Sequence, residues 1–256
     1  MKLLLIILHL VLCVANVALA QATSSGAPPS AREAYLYTSV SDNRLDDQAK
    51  ETIFMTYDAV NDSAMFASRT LGRDSLQTIA ITLTPQGNVT SATLENKTFP
   101  SGEITQRSTI RKERGMVYVD STHGQKNSTR SISVPDGQEF AVDASLLYLM
   151  RQFPFETGNE WRVFMVDFSG KSVTVSISDK GTERVIVPAG SFLCYRMEVL
   201  ISFSFLKATI TYWLTQSPPH FLVKHIGKKG PFTKTYTTVL DTIDSLPPRI
   251  NKQPPE

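Results

Sequence analysis

The chain has 256 residues, 41% of them hydrophobic and 20% charged, with a formal net charge of +2 at pH 7. This is the makeup of a foldable chain, and its 14 prolines and 13 glycines are too few for a collagen-like or low-complexity polymer. The near-neutral balance excludes a protein whose main work is gripping nucleic acid, which needs clustered Lys and Arg.

Met1-Lys2 is a short positive start, and residues 3–12 are apolar except for His9. Ala18-Leu19-Ala20 then offers an A-x-A cleavage site before polar Gln21 to Gly26. That order reads as a signal peptide over 1–20. The apolar run is too short to span a bilayer stably, so no transmembrane segment is expected in the mature chain. The mature protein is expected to be exported, periplasmic or secreted. Residues 21–31 (QATSSGAPPSA) read as a flexible leader, 32–246 as a single β-rich domain, and 247–256 as a disordered tail. Cleavage leaves one cysteine, Cys194, and so no intramolecular disulfide. Its setting, Phe192-Leu193-Cys194-Tyr195, reads as strand, where a thiol serves as a small buried hydrophobe.

Along the domain, a weak helical pattern near Asp42–Glu51 comes first. Alternating runs follow: Thr78-Ile79-Ala80-Ile81-Thr82-Leu83-Thr84, then Met116–Val119, then Ser172-Val173-Thr174-Val175-Ser176-Ile177-Ser178, then Thr209-Ile210-Thr211-Tyr212-Trp213-Leu214-Thr215. A period of two puts one set of side chains on a buried face and the other toward water. Turn residues punctuate the runs at Val60–Ser63, Pro85–Asn88, Asp179-Lys180-Gly181, Pro188-Ala189-Gly190 and Gly227–Pro231. About a dozen strands at this spacing predict a meandering antiparallel sheet.

One segment lacks alternation. Between Val142 and Phe153 the apolar residues 142, 146, 149, 150 and 153 fall on one helical stripe. Asp143 suits an N-cap and Pro154 ends the run. A helix of about three turns is predicted, packed in the hollow of a curved sheet. The expected fold is therefore mainly β: a curved antiparallel sheet or half-open β-barrel wrapping one central α-helix.

The segment Asp143 to Arg151, Gly158, Val187-Pro188-Ala189-Gly190-Ser191-Phe192, Tyr212-Trp213-Leu214 and Val223-Lys224 resemble a bacterial domain-of-unknown-function family, the one numbered 3108. The resemblance is clearest from about Asp143 to Ile243. It implies an envelope or secreted protein with a sheet similar to the half-barrel of lipoprotein carriers, and it carries no catalytic residues. The apolar run Phe203-Ser204-Phe205-Leu206 departs from it, standing where a polar turn is expected.

No catalytic site is read from the sequence. There is no G-x-S-x-G elbow around Ser191, and Pro188-Ala189-Gly190 lacks the Lys-Ser/Thr of a phosphate loop. His123, His220 and His225 have no ligand-like spacing, so no metal and no cofactor are expected. Four N-x-S/T triplets, at Asn61, Asn88, Asn96 and Asn127, matter only on a eukaryotic secretory route. An outer-membrane barrel would need apolar bands and aromatic girdles that these Ser/Thr/Lys-rich strands lack. The reading is an exported, non-catalytic envelope protein binding a lipid or other hydrophobic ligand in a concave groove. Trp161, Phe164, Tyr195, Tyr212 and Trp213 are the candidate lining, though such aromatics also simply fill cores. The alternatives are an envelope scaffold that binds another polypeptide, with Phe203–Leu206 as its patch, and a hydrolase with an unrecognised site.

Overall fold

The computed structural model describes residues 32–41, 49–58, 63–84, 86–142, 145–155, 159–203, 206–228 and 235–244. The expected signal peptide, leader and tail lie outside these residues, as do Asp143, Ser204, Phe205 and the turn at residues 59–62.

Fifteen strands form one large curved sheet. They are β1 (Arg32–Ser41), β2 (Ala49–Asp58), β3 (Ser63–Leu71), β4 (Ser75–Leu83), β5 (Val89–Thr98), β6 (Ile104–Glu113), β7 (Met116–His123) and β8 (Lys126–Ser133). The second set is β9 (Glu139–Val142), β10 (Glu160–Val166), β11 (Ser172–Val187), β12 (Gly190–Phe203), β13 (Leu206–Thr215), β14 (Leu222–Lys228) and β15 (Thr235–Asp244). The spatial order runs from β8 back to β1, then from β15 back to β9. Neighbours in sequence are therefore neighbours in the sheet, except β8 and β9, which form its two edges, and β1 pairs with β15 at its centre. Of the weak helical pattern at Asp42–Glu51, residues 42–48 lie outside the described residues, and Ala49–Glu51 belong to β2, whose register carries Glu51 opposite Tyr37.

The predicted alternation is realised. β4 buries Ile79, Ile81 and Leu83, and β11 buries Val175 and Ile177. Facing β11, β12 buries Met197 and Val199. These belong to one continuous apolar core that includes side chains of β1, β2 and β3 as well as β13, β14 and β15.

Two expectations change in detail. Asp179-Lys180-Gly181 is not a chain reversal but a bulge inside the long strand β11. Asp179 Oδ1 accepts the Gly181 N–H at 2.8 Å, and Gly181 takes φ +94°, so the strand bends and continues. The predicted three-turn helix shrinks to α1 (Leu146–Met150), five residues. Its end tightens: the N–H groups of Arg151, Gln152 and Phe153 bond to the carbonyls three residues back, at 3.2, 2.9 and 3.2 Å. The residue before α1 is Ser145, whose hydroxyl makes no cap and instead exchanges two bonds with the Val142 backbone. The apolar stripe is nonetheless buried: Val142, Leu146, Leu149, Met150 and Phe153 are all core.

The position of α1 has a topological cause. β9 and β10 are parallel, unlike every other pairing in the sheet. Parallel neighbours cannot be joined by a hairpin; the chain must cross over on one face of the sheet. The connection from β9 to β10 makes that crossover, and its described part carries α1.

Candidate functional site

The five predicted aromatics divide between two faces. In β12 and β13 the register places Tyr195 opposite Leu214 and Arg196 opposite Trp213. Successive residues in a strand point to opposite faces, so Tyr212 and Trp213 cannot line one groove. The face bearing Ile177, Met197 and Val199 carries Trp161, Tyr195 and Tyr212. Phe164 and Trp213 belong to the reverse face.

Trp213 is buried among charges. Its indole N–H donates to the Glu183 carboxylate, and Lys224 Nζ sits 5.1 Å from its ring centre. Phe164 is buried beside Phe140 in the β9–β10 pair. Tyr212 lies 5.4 Å from the His225 ring, which in turn meets Tyr236 at 5.2 Å. Cys194 is fully buried, and burial, with the Glu183 charge second, pushes its thiol up to about 11.

On the face shared with α1 an aromatic row forms. Trp161 meets Phe153 at 5.9 Å, Phe153 meets Phe155 at 5.8 Å, and Phe155 stacks on Tyr195 at 4.1 Å and 11°. His220 closes on Phe155 at 4.7 Å. Its Nδ1 donates to the Thr215 carbonyl at 2.9 Å, which fixes the ring. The next residue, Phe221, packs on Tyr35 at 5.3 Å and on Phe192 at 5.5 Å.

Beside this row lies a cavity of about 310 Å³, lined by Met55, Ala64, Tyr148 and Pro219 with Glu33, Thr56, Arg151 and Gln152. Three sources build it: strands β1 to β3, the end of α1, and the turn after β13. At its wall Arg151 pairs with Glu33 at 2.9 Å, and the Tyr35 hydroxyl donates to the same carboxylate oxygen at 2.8 Å. The Arg151 guanidinium also lies 5.6 Å from the Tyr35 ring centre. Burial holds the Tyr35 phenol well above its usual range, so it stays a hydrogen-bond donor. A second hollow, of about 300 Å³, is polar: Glu160, Ser176, Ser178, Lys180 and Glu198 are among its walls.

None of the five predicted residues lines the 310 Å³ cavity. Trp161 and Tyr195 reach its neighbourhood through the aromatic row. Glu33 was missed because nothing local marks it; its meeting with Arg151 is purely tertiary. Among the described residues no three His, Cys, Asp or Glu side chains converge as metal ligands.

The family model for "Protein of unknown function (DUF3108)" matches residues 101–231. The chain belongs to the DUF3108 family. That match covers β6 to β14 and α1. A β-barrel-like protein of domain-of-unknown-function DUF1849 from Brucella abortus is similar in structure, with a TM-score of 0.58 and 12% identity over 88% of this chain and 100% of that one. The hypothetical lipoprotein YmcC from Escherichia coli aligns with a TM-score of 0.34 and 13% identity, over 86% of each chain. A DUF1089 family protein from Pseudomonas aeruginosa aligns with a TM-score of 0.35 and 13% identity, over 82% of this DUF3108 chain and 97% of the other. No curated protein matches. Among the described residues no helix is long and apolar enough to cross a membrane.

Proposed function

We propose that this DUF3108 protein is an exported, non-catalytic binding protein of the bacterial envelope that holds a hydrophobic chain in the cavity beside α1. Export rests on the N-terminal pattern, with cleavage after Ala20 and residues 32–246 acting as one domain. The observation that carries the binding reading is the cavity itself, whose lining joins apolar Met55, Ala64 and Pro219 to the Glu33–Arg151 pair and Gln152. Its volume falls at the small end of ligand sites, roughly 300–1,000 Å³. That suits one acyl chain or a short apolar segment, not a two-tailed lipid swallowed whole. The aromatic row makes a stiff wall next to it. Native mass spectrometry of protein purified from its own envelope tests the reading. A bound lipid mass is expected; protein that is empty and also fails to take up a fluorescent fatty acid would overturn it.

A second reading, a scaffold that binds another polypeptide, is favoured by β8. Among the described residues it pairs with β7 alone and leaves every side chain but Ile132 exposed. An unpaired edge can accept an added strand. Crosslinking from a single photoreactive residue at position 129 in cells tests it: a discrete adduct supports strand addition, and its absence counts against it.

A further inference from the structure

The cavity wall carries a charge pair instead of a single charge, and this constrains the head group of whatever binds. Resting on the binding reading above, we infer that the ligand is a single-chain amphiphile with a zwitterionic head, its ammonium against Glu33 and its anionic group against Arg151. The pair is half enclosed: the Arg151 side chain is 13% exposed and that of Glu33 is 34% exposed. Both hydrogen bonds from Tyr35 and Arg151 converge on Glu33 Oε2. Among the described residues no hydrogen bond reaches the other oxygen, Oε1. The guanidinium has five N–H donors, and one of them is used on Glu33. Among the described residues the wall therefore presents an open acceptor next to guanidinium donors that Glu33 does not take up, both lining the same cavity.

Charge balance then selects the ligand. A bound chain covers the pair and removes its remaining water. A purely anionic head would leave the covered site with a net negative charge, and a purely cationic one with a net positive charge. Uncompensated charge away from water is strongly disfavoured. A head carrying both signs leaves the covered site neutral and engages both open positions. A neutral hydroxyl head also keeps balance but forgoes the charge-assisted bonds, which are about twice as strong as neutral ones.

The test is calorimetric titration of the full mature chain with three amphiphiles of one chain length. They are a lysophosphatidylethanolamine, the matching lysophosphatidylglycerol and the matching monoacylglycerol, each below its micelle concentration. The zwitterion is expected to bind at least about tenfold more tightly than either of the others. In the double variant E33Q/R151Q the preference for the zwitterion over the other two heads should disappear. Equal binding of all three, or tighter binding of the anionic head, would overturn the inference while leaving the carrier reading intact. Failure of all three to bind would overturn the carrier reading itself. The comparison of heads on the unaltered protein stands even if the double variant does not fold.

Discussion

Arg151 and Glu33 lie 118 residues apart in the chain and meet at 2.9 Å, the one at the end of α1 and the other near the start of the first strand. Their pairing fixes the helical turn against the N-terminal half of the sheet, and so fixes the cavity between them. Arg151→Ala strands a half-enclosed carboxylate and should cost about 1–3 kcal/mol. The double change E33Q/R151Q, which leaves no orphaned charge, should cost less. Urea unfolding of the three proteins checks the order.

Met150 is fully buried on the same turn. Met150→Ala should lower stability by about 2–5 kcal/mol through lost burial and a residual void. A surface change on the same turn, Gln152→Ala, should move the urea midpoint little. Equal effects from both would mean that the turn is not anchored by its apolar side.

Gly87, in the turn before β5, has φ +79°, and a methyl there would fall 2.6 Å from Gln152 Nε2 and 3.2 Å from the Tyr148 ring. Gly87→Ala should therefore destabilise by about 1–3 kcal/mol, through backbone strain plus crowding. Adding Gln152→Ala should recover the crowding part only. Thermal melts of the single and double variants measure the split.

Ala64→Phe places a ring in the cavity from β3. It is expected to abolish uptake of a fluorescent fatty acid while leaving the circular dichroism unchanged. Trp213→Phe, on the reverse face, should leave uptake unaltered. Loss of uptake in the second variant and retention in the first would relocate the site.

Cys194 gives a pH signature. Its folded thiol titrates near 11 against an ordinary value of 9.0. The unfolded chain thus releases this proton first, and the contribution is whole below pH 9 and lost as pH climbs through 11. Tyr35 and Tyr37, also raised by burial, add to the same alkaline loss from about pH 10 upward. Cys194→Val should flatten the stability curve between pH 9 and 10.5, read by urea titration at each pH. At pH 8 the native thiol should resist iodoacetamide until the protein unfolds.

Much of the sheet was legible because alternation is a local signal. Ser172–Ser178 and Thr209–Thr215 read as strands and are strands. The stripe of Val142, Leu146, Leu149, Met150 and Phe153 named the buried face correctly even though the α-helical part is one turn. That this segment is a crossover between parallel strands follows from a pairing that no local pattern encodes. The Asp179-Gly181 bulge misled for a related reason: turn chemistry is the same whether the chain reverses or only kinks. Aromatic content pointed toward Trp161 and Tyr195 but could not say that Trp213 faces away, because the choice of face depends on which neighbours pair. The Glu33–Arg151 contact had no sequence signal at all.

The pairing of β1 with β15 has a consequence for how the molecule is made. The first strand to emerge must wait for the last before its second edge is covered. Until then the halves β1–β8 and β9–β15 exist as separate curls, each with a raw central margin open to stray pairing. Loss of the final ten-residue strand would thus split the molecule down its middle instead of fraying its rim. A helper that shields such margins during synthesis or transit would have its greatest effect in that interval.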